Sequence, residues 1–296
     1  MLKTRPKRMG ETMRQAHLLG CDHHEVGSLA SIAEAEAAIT LSRGGALKTY
    51  SHTEPNEDAA LFALGQGGSL IAVADGHSGA SGSEAMAAHL LESCAESWTR
   101  AGKPEFQDSS WEEVALETVY ACGRAVLTRS AEIGVPPAPS TLSIALARPD
   151  EDLLFWLSAG DSHVFLTDAS QTRDVGWSSL GHKRTYFVGY EAATREGIQN
   201  TFACGSLPLS SLSAVTLATD GLSEPGIGFP DPEAQVHETA SQTASLEASI
   251  RPLEMAKHLS FATLEIQRAQ RAGDNLACAL LDLRTPPAPR YDGSAL

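Results

Sequence analysis

Cysteine, positive charge and long apolar runs are all scarce in this chain, and each scarcity excludes something. The five cysteines, Cys21, Cys94, Cys122, Cys204 and Cys278, are odd in number, widely spaced and without a CxxC pair. That spacing argues against a disulfide framework, a zinc ribbon or a thioredoxin-type site, and for reduced thiols in a cytoplasmic protein. Lys and Arg number 22 against 37 Asp and Glu, a formal net charge of −15. Nothing basic and extended is available to neutralise nucleic-acid phosphates or to hold an anionic membrane surface. No apolar run approaches the ~18 residues of a membrane span. The basic start, Met-Leu-Lys-Thr-Arg-Pro-Lys-Arg, has no apolar stretch after it, which argues against a secretory signal.

What the chain does have is an ordinary globular composition, 42% hydrophobic and 20% charged over 296 residues. That suffices for a sizeable core held without disulfide or structural metal. Residues 1–35 read as an N-terminal extension, with a short helix over Arg8 to Leu19 and a polar loop at Cys21 to His24. Strands are expected at Ala37 to Leu41, Ala59 to Leu64 and Ser69 to Ala74, the last two joined by the turn Gly65-Gln66-Gly67-Gly68. Apolar spacing of three and four predicts helices over Ser83 to Arg100 and Trp111 to Ile133, the second capped by Ser110. Further strands are expected at Ser140 to Leu146, Leu153 to Ser158 and Val164 to Thr167. Residues 168–212 read as a loop-rich, flap-like insertion. The strand Ala214 to Thr219, helices over Ser241 to Ala248 and Pro252 to Arg271, and the strand Leu276 to Leu283 complete the chain. The Pro-rich tail 285–296 is expected to be disordered. Meanders with long amphipathic helices between them indicate an α+β protein.

Carboxylates punctuate the apolar strands. Asp75, Asp161 and Asp220 each follow one, and Asp274 precedes one. An ionised Asp at the mouth of a core strand is costly unless a positive charge meets it. Antiparallel pairing of the strands that hold Glu57-Asp58 and Asp75 gathers all three acids at one edge. Oxygen-rich sets of this kind suit Mg²⁺ or Mn²⁺.

The ordered pieces Asn56-Glu57-Asp58, Val73-Ala74-Asp75-Gly76-His77-Ser78-Gly79, Ser140-Thr141, Ala159-Gly160-Asp161-Ser162, Ala218-Thr219-Asp220-Gly221-Leu222-Ser223-Glu224 and Gly273-Asp274-Asn275 resemble the metal-dependent protein phosphatase family, the type 2C serine/threonine phosphatases. The resemblance covers about residues 36–284. It implies a four-layer αββα sandwich of two antiparallel sheets flanked by helices. It also implies hydrolysis of phosphoserine and phosphothreonine in proteins, the products of serine/threonine kinases, by a hydroxide that bridges two Mn²⁺ or Mg²⁺ ions. By position, Asp75 and the Gly76 carbonyl, Asp220 and Asp274 would hold the two ions. Glu57 and Asp58 would hold their waters, Asp161 and Glu224 would form a third, weaker site, and His77 would protonate the leaving oxygen.

Two positions depart from that pattern. Thr53 stands where the family usually has the arginine that contacts substrate phosphate, and a hydroxyl does not replace a bidentate guanidinium. Arg43, Lys48 and His52 are the substitutes within reach in sequence. His163 follows Gly-Asp-Ser where arginine is usual. Two other readings keep the same fold: a catalytically weak or inactive regulatory module, and a metallohydrolase of small phosphoesters.

Overall fold

A computed structural model describes residues 13–48, 52–103, 110–176, 186–190 and 194–284. Two six-stranded antiparallel sheets pack face to face with helices on both outer sides, a four-layer αββα sandwich. One sheet runs β1 (Arg14–Leu19), β4 (Ala59–Leu64), β5 (Ser69–Ala74), β6 (Leu142–Arg148), β7 (Leu153–Ala159), β10 (Phe202–Pro208). The other runs β2 (Ala30–Glu34), β3 (Ala37–Ser42), β12 (Leu276–Asp282), β11 (Ala214–Ala218), β8 (His163–Thr167), β9 (Thr172–Asp174). Outside the first sheet lie α1 (Ser81–His89), continued through a π turn at Leu90–Cys94 into α2 (Ala95–Thr99), and α3 (Trp111–Ile133). The short α4 (Arg195–Ile198) joins them there through Ile198. Outside the second sheet lie α5 (Pro232–Thr243) and α6 (Arg251–Gln270).

The sequence dictates this layering through residues that alternate faces with period two. In β4 and β5, Leu61 and Leu70 turn toward the helices, whereas Phe62 and Ile71 turn toward the other sheet. All twelve positions of these two strands are buried. Each large apolar side chain so enclosed contributes roughly 1.5–3 kcal/mol. At the start of α3 the Ser110 hydroxyl accepts from the Glu113 N–H and the Glu113 carboxylate accepts from the Ser110 N–H, the expected capping box.

Three sequence expectations are corrected. Residues 14–34 are not an extension, nor is Arg14–Leu19 helical. β1 pairs with β4 and β2 pairs with β3, each at the edge of a sheet. Edge strands here bury little (Leu18 alone in β1), so the apolar signal of a strand is absent. The helix expected over Ser241 to Ala248 lies earlier, at Pro232–Thr243. Asp231 caps it, its side chain accepting from the Ala234 N–H, with Pro232 in the first turn. The segment 168–212 is framework at both ends, since β9 and β10 complete the two sheets. Within that segment, residues 177–185 and 191–193 lie outside the described residues, as does the tail 285–296.

Candidate metal centre

The strand ends converge on one edge of the sandwich. Ala59 pairs with Ala74, so Asp58 and Asp75 are neighbours across two strands. Leu142 pairs with Ala159, and the chain beyond turns through Gly160 to Asp161. Ala218 pairs with Cys278, which places Asp220 close to Asp274 just before β12. Gly221 permits that approach: a Cβ there would stand 1.9 Å from the Asn275 carbonyl oxygen.

Polar clasps hold the loops. The Asp75 N–H donates to the Thr141 hydroxyl at 3.0 Å, and the Thr141 N–H donates back to the Asp75 carbonyl at 2.9 Å. Asn275 accepts from the Glu57 N–H through Oδ1 at 2.9 Å and donates through Nδ2 to the carbonyls of Arg43 and Pro55. The Thr219 hydroxyl donates to Asp58 Oδ2 at 2.8 Å.

Asp75, Asp161 and Asp220 each present an oxygen within 4.8 Å of the other two. Asp58 Oδ1 and Asp161 Oδ1 are buried with no hydrogen-bond partner among the described residues. Burial pushes the Asp75 carboxyl well above its ordinary range, and the charges of Asp58 and Asp274 push it further. Asp220 is raised in the same way, by burial and then by Asp75 and Asp274. Burial lifts Asp58 to about 7 against the opposing charge of Lys48. Asp161 and Glu224 are also raised, chiefly by burial. Carboxylates enclosed together, with oxygens left unbonded, fit a hard divalent cation.

The remaining expected residues take varied positions. His77 is exposed at the rim, its ring stacked on Phe187 with centroids 4.8 Å apart. Glu57 is buried, and its Oε1 accepts the N–H groups of Thr53 and Glu54, both at 2.9 Å. Thr53 and His52 are exposed, and Arg43 donates to the His24 carbonyl at 2.8 Å. Asp274 does not join the three close carboxylates. Its Oδ1 pairs with Lys48 Nζ at 3.0 Å. Burial alone would lower the Lys48 ammonium's pKa, but Asp274, Asp58 and Asp75 together raise it above its ordinary value.

Sequence reasoning missed a second polar unit beside the centre. His163 contacts Asp174 Oδ2 through Nδ1 and the Ser223 hydroxyl through Nε2, both at 2.6 Å. Asp174 Oδ1 also accepts the N–H groups of Val164 and Gly176. His163 therefore ties β8 and β9 to the turn that carries Asp220 and Glu224. The Gly-Asp-Ser-His run marked the position, but Asp174 lies 11 residues on and Ser223 lies 60 on, and nothing local pointed to them. A cavity of about 450 Å³ opens here, lined by Asp161, Asp220, Glu224, His163 and Phe229 among others.

A two-sheet sandwich with acidic loops gathered at one edge to hold a cation is the architecture of the metal-dependent phosphatases. The sequence profile described as protein phosphatase 2C matches residues 48–262, and the chain belongs to that family. Its fold is similar to that of a bacterial serine phosphatase (16% identity, TM-score 0.58), over 84% of this chain and 98% of the other. It is similar as well to serine/threonine phosphatase Stp1 from Staphylococcus aureus (16%, 0.57), over 88% of this chain and 97% of the other. A third similar structure is the catalytic domain of the serine/threonine protein phosphatase PstP in complex with two manganese ions (17%, 0.55), over 86% of this chain and 99% of the other. No curated protein sequence matches the chain. Among the described residues, no helix is long and apolar enough to cross a membrane.

Proposed function

We propose that this protein is a divalent-metal-dependent phosphatase that hydrolyses phosphoserine and phosphothreonine in proteins. The observation that carries this reading is the convergence of Asp75, Asp161 and Asp220 in a chain of the protein phosphatase 2C family. These three carboxylates would hold Mn²⁺ or Mg²⁺, with the Gly76 carbonyl and Glu224 as further oxygen donors beside them. A divalent ion in such a site neutralises phosphoryl oxygens and lowers the pKa of a water nucleophile. Asp58, with one oxygen that lacks a partner among the described residues, would accept hydrogen bonds from water in the site. His77 at the rim donates a proton to the departing seryl or threonyl oxygen, the transfer an imidazole performs near neutral pH. Lys48 supplies fixed positive charge that Thr53 does not.

A regulatory module of low activity is the second reading. It is favoured by the Lys48–Asp274 pair, which occupies a carboxylate expected to bind metal. Release of inorganic phosphate from a phosphoserine peptide, with Mn²⁺ and then with excess EDTA, separates the two. Turnover abolished by EDTA and restored by Mn²⁺ supports the phosphatase, and absence of turnover at saturating Mn²⁺ supports the module.

A further inference from the structure

The Lys48 ammonium is built into the acidic edge. Lys48 forms a parallel β-bridge with Gly273, and the Gly273 N–H donates to the Leu47 carbonyl at 3.1 Å. The backbones are close enough that a Cβ on Gly273 would stand 1.9 Å from the Ala46 carbonyl oxygen, so the segment before Lys48 is pressed against the segment before Asp274. The side chains then meet at 3.0 Å, only 4% and 5% exposed. Asp274 Oδ1 accepts a second bond, from the Asn275 N–H at 2.7 Å. A cation arriving at that oxygen must expel the ammonium and leave it buried beside a like charge. Asp75, Asp161 and Asp220, in contrast, gather without Asp274. On the Glu57 side, Oε1 is already taken by two backbone N–H groups.

We propose that Lys48 is a built-in cation that takes the place of a second divalent ion, so that the centre binds one ion per chain, at Asp75, Asp161 and Asp220. The inference rests on that cation site and not on the phosphatase activity. A lysine is a compact, strongly hydrated point charge, which suits it to stand in for an ion rather than to grip phosphate bidentately.

Equilibrium dialysis of the full chain against Mn²⁺, with the bound metal counted per chain, tests it. Wild type is expected to bind one ion. Lys48→Met is expected to bind two, or to gain affinity for a second ion on the order of tenfold or more as the opposing charge is removed. Lys48→Arg is expected to remain at one, and Asp274→Asn in the wild-type background is expected to keep the single ion. Two tight ions in wild type, no change in Lys48→Met whose circular dichroism matches wild type, or loss of the first ion in Asp274→Asn would each overturn the proposal, as would no bound ion at all. One bound ion without phosphopeptide hydrolysis would leave this inference standing and defeat the phosphatase reading.

Discussion

The two halves of the acidic edge handle negative charge in opposite ways. On one side, Asp75, Asp161 and Asp220 face one another and Asp161 keeps a buried oxygen without a partner among the described residues. On the other, Asp274 has a buried lysine at 3.0 Å and a backbone N–H at 2.7 Å. Both halves are carboxylates at strand ends, set there by the same antiparallel registers. The difference teaches that strand-end topology delivers the acids, while a single side chain from a distant loop decides which of them remain available to a cation.

The largest contrast should come from stability. Asp274→Ala removes the carboxylate that pairs with the buried Lys48 ammonium at 3.0 Å, and such losses cost about 3 kcal/mol. Asp75→Ala removes one of several mutually repelling carboxylates and is expected to raise the melting temperature of the metal-free protein at pH 8. Urea and thermal denaturation without metal read both, and equal signs for the two variants would break the comparison.

Activity gives the next contrast. Asp75→Ala or Asp220→Ala is expected to lower Mn²⁺-dependent hydrolysis by about 100-fold or more, since even outer-sphere changes reach that range. His77→Ala should slow hydrolysis of a phosphoserine peptide by about 100-fold or more, the usual reach of a positioned acid. The same variant should barely affect p-nitrophenyl phosphate, whose leaving group needs no proton. Equal losses on both substrates would exclude His77 as the acid.

pH sharpens the comparison further. Asp58, Asp75 and Asp220 hold their protons more tightly folded than unfolded. Their contribution to stability is therefore complete below the ordinary carboxyl value of 3.8 and lost as pH rises through the folded values, about 7 for Asp58. Metal-free protein should melt at progressively lower temperature from mildly acid to neutral pH, and saturating Mn²⁺ should cancel the decline. A melting temperature that rises over that range without metal would contradict the assignment.

The smallest effect belongs to the polar unit behind the centre. His163→Ala removes the bonds to Asp174 Oδ2 and the Ser223 hydroxyl and is expected to cost about 1–3 kcal/mol, with a weaker affinity for Mn²⁺ read by thermal shift.

How much of this was legible in sequence depended on burial. β4, β5, β11 and β12 are buried on both faces, and their apolar runs announced them within a residue or so of their observed ends. α3 was readable to its first and last residue because Ser110 and Glu113 form a cap and Gly134 takes the left-handed conformation (φ 70°) that ends it. β1 and β2 were not legible, since an edge strand with polar, exposed positions looks like any loop. The acids at the centre stood out as punctuation of apolar strands. Lys48 was legible only as one candidate cation among three; its pairing was not, because its partner Asp274 is 226 positions away and nothing in the local sequence marks it. Arg43 was a candidate cation alongside it, and its guanidinium donates to the His24 carbonyl.

The most direct test of the difference between the two halves is a crystal soaked in Mn²⁺, with the ions located by anomalous scattering. The expected result is one strong peak among Asp75, Asp161 and Asp220, with Lys48 still paired to Asp274. Two peaks of equal height, one of them at Asp274 with the lysine displaced, or no peak among the three carboxylates, would contradict it.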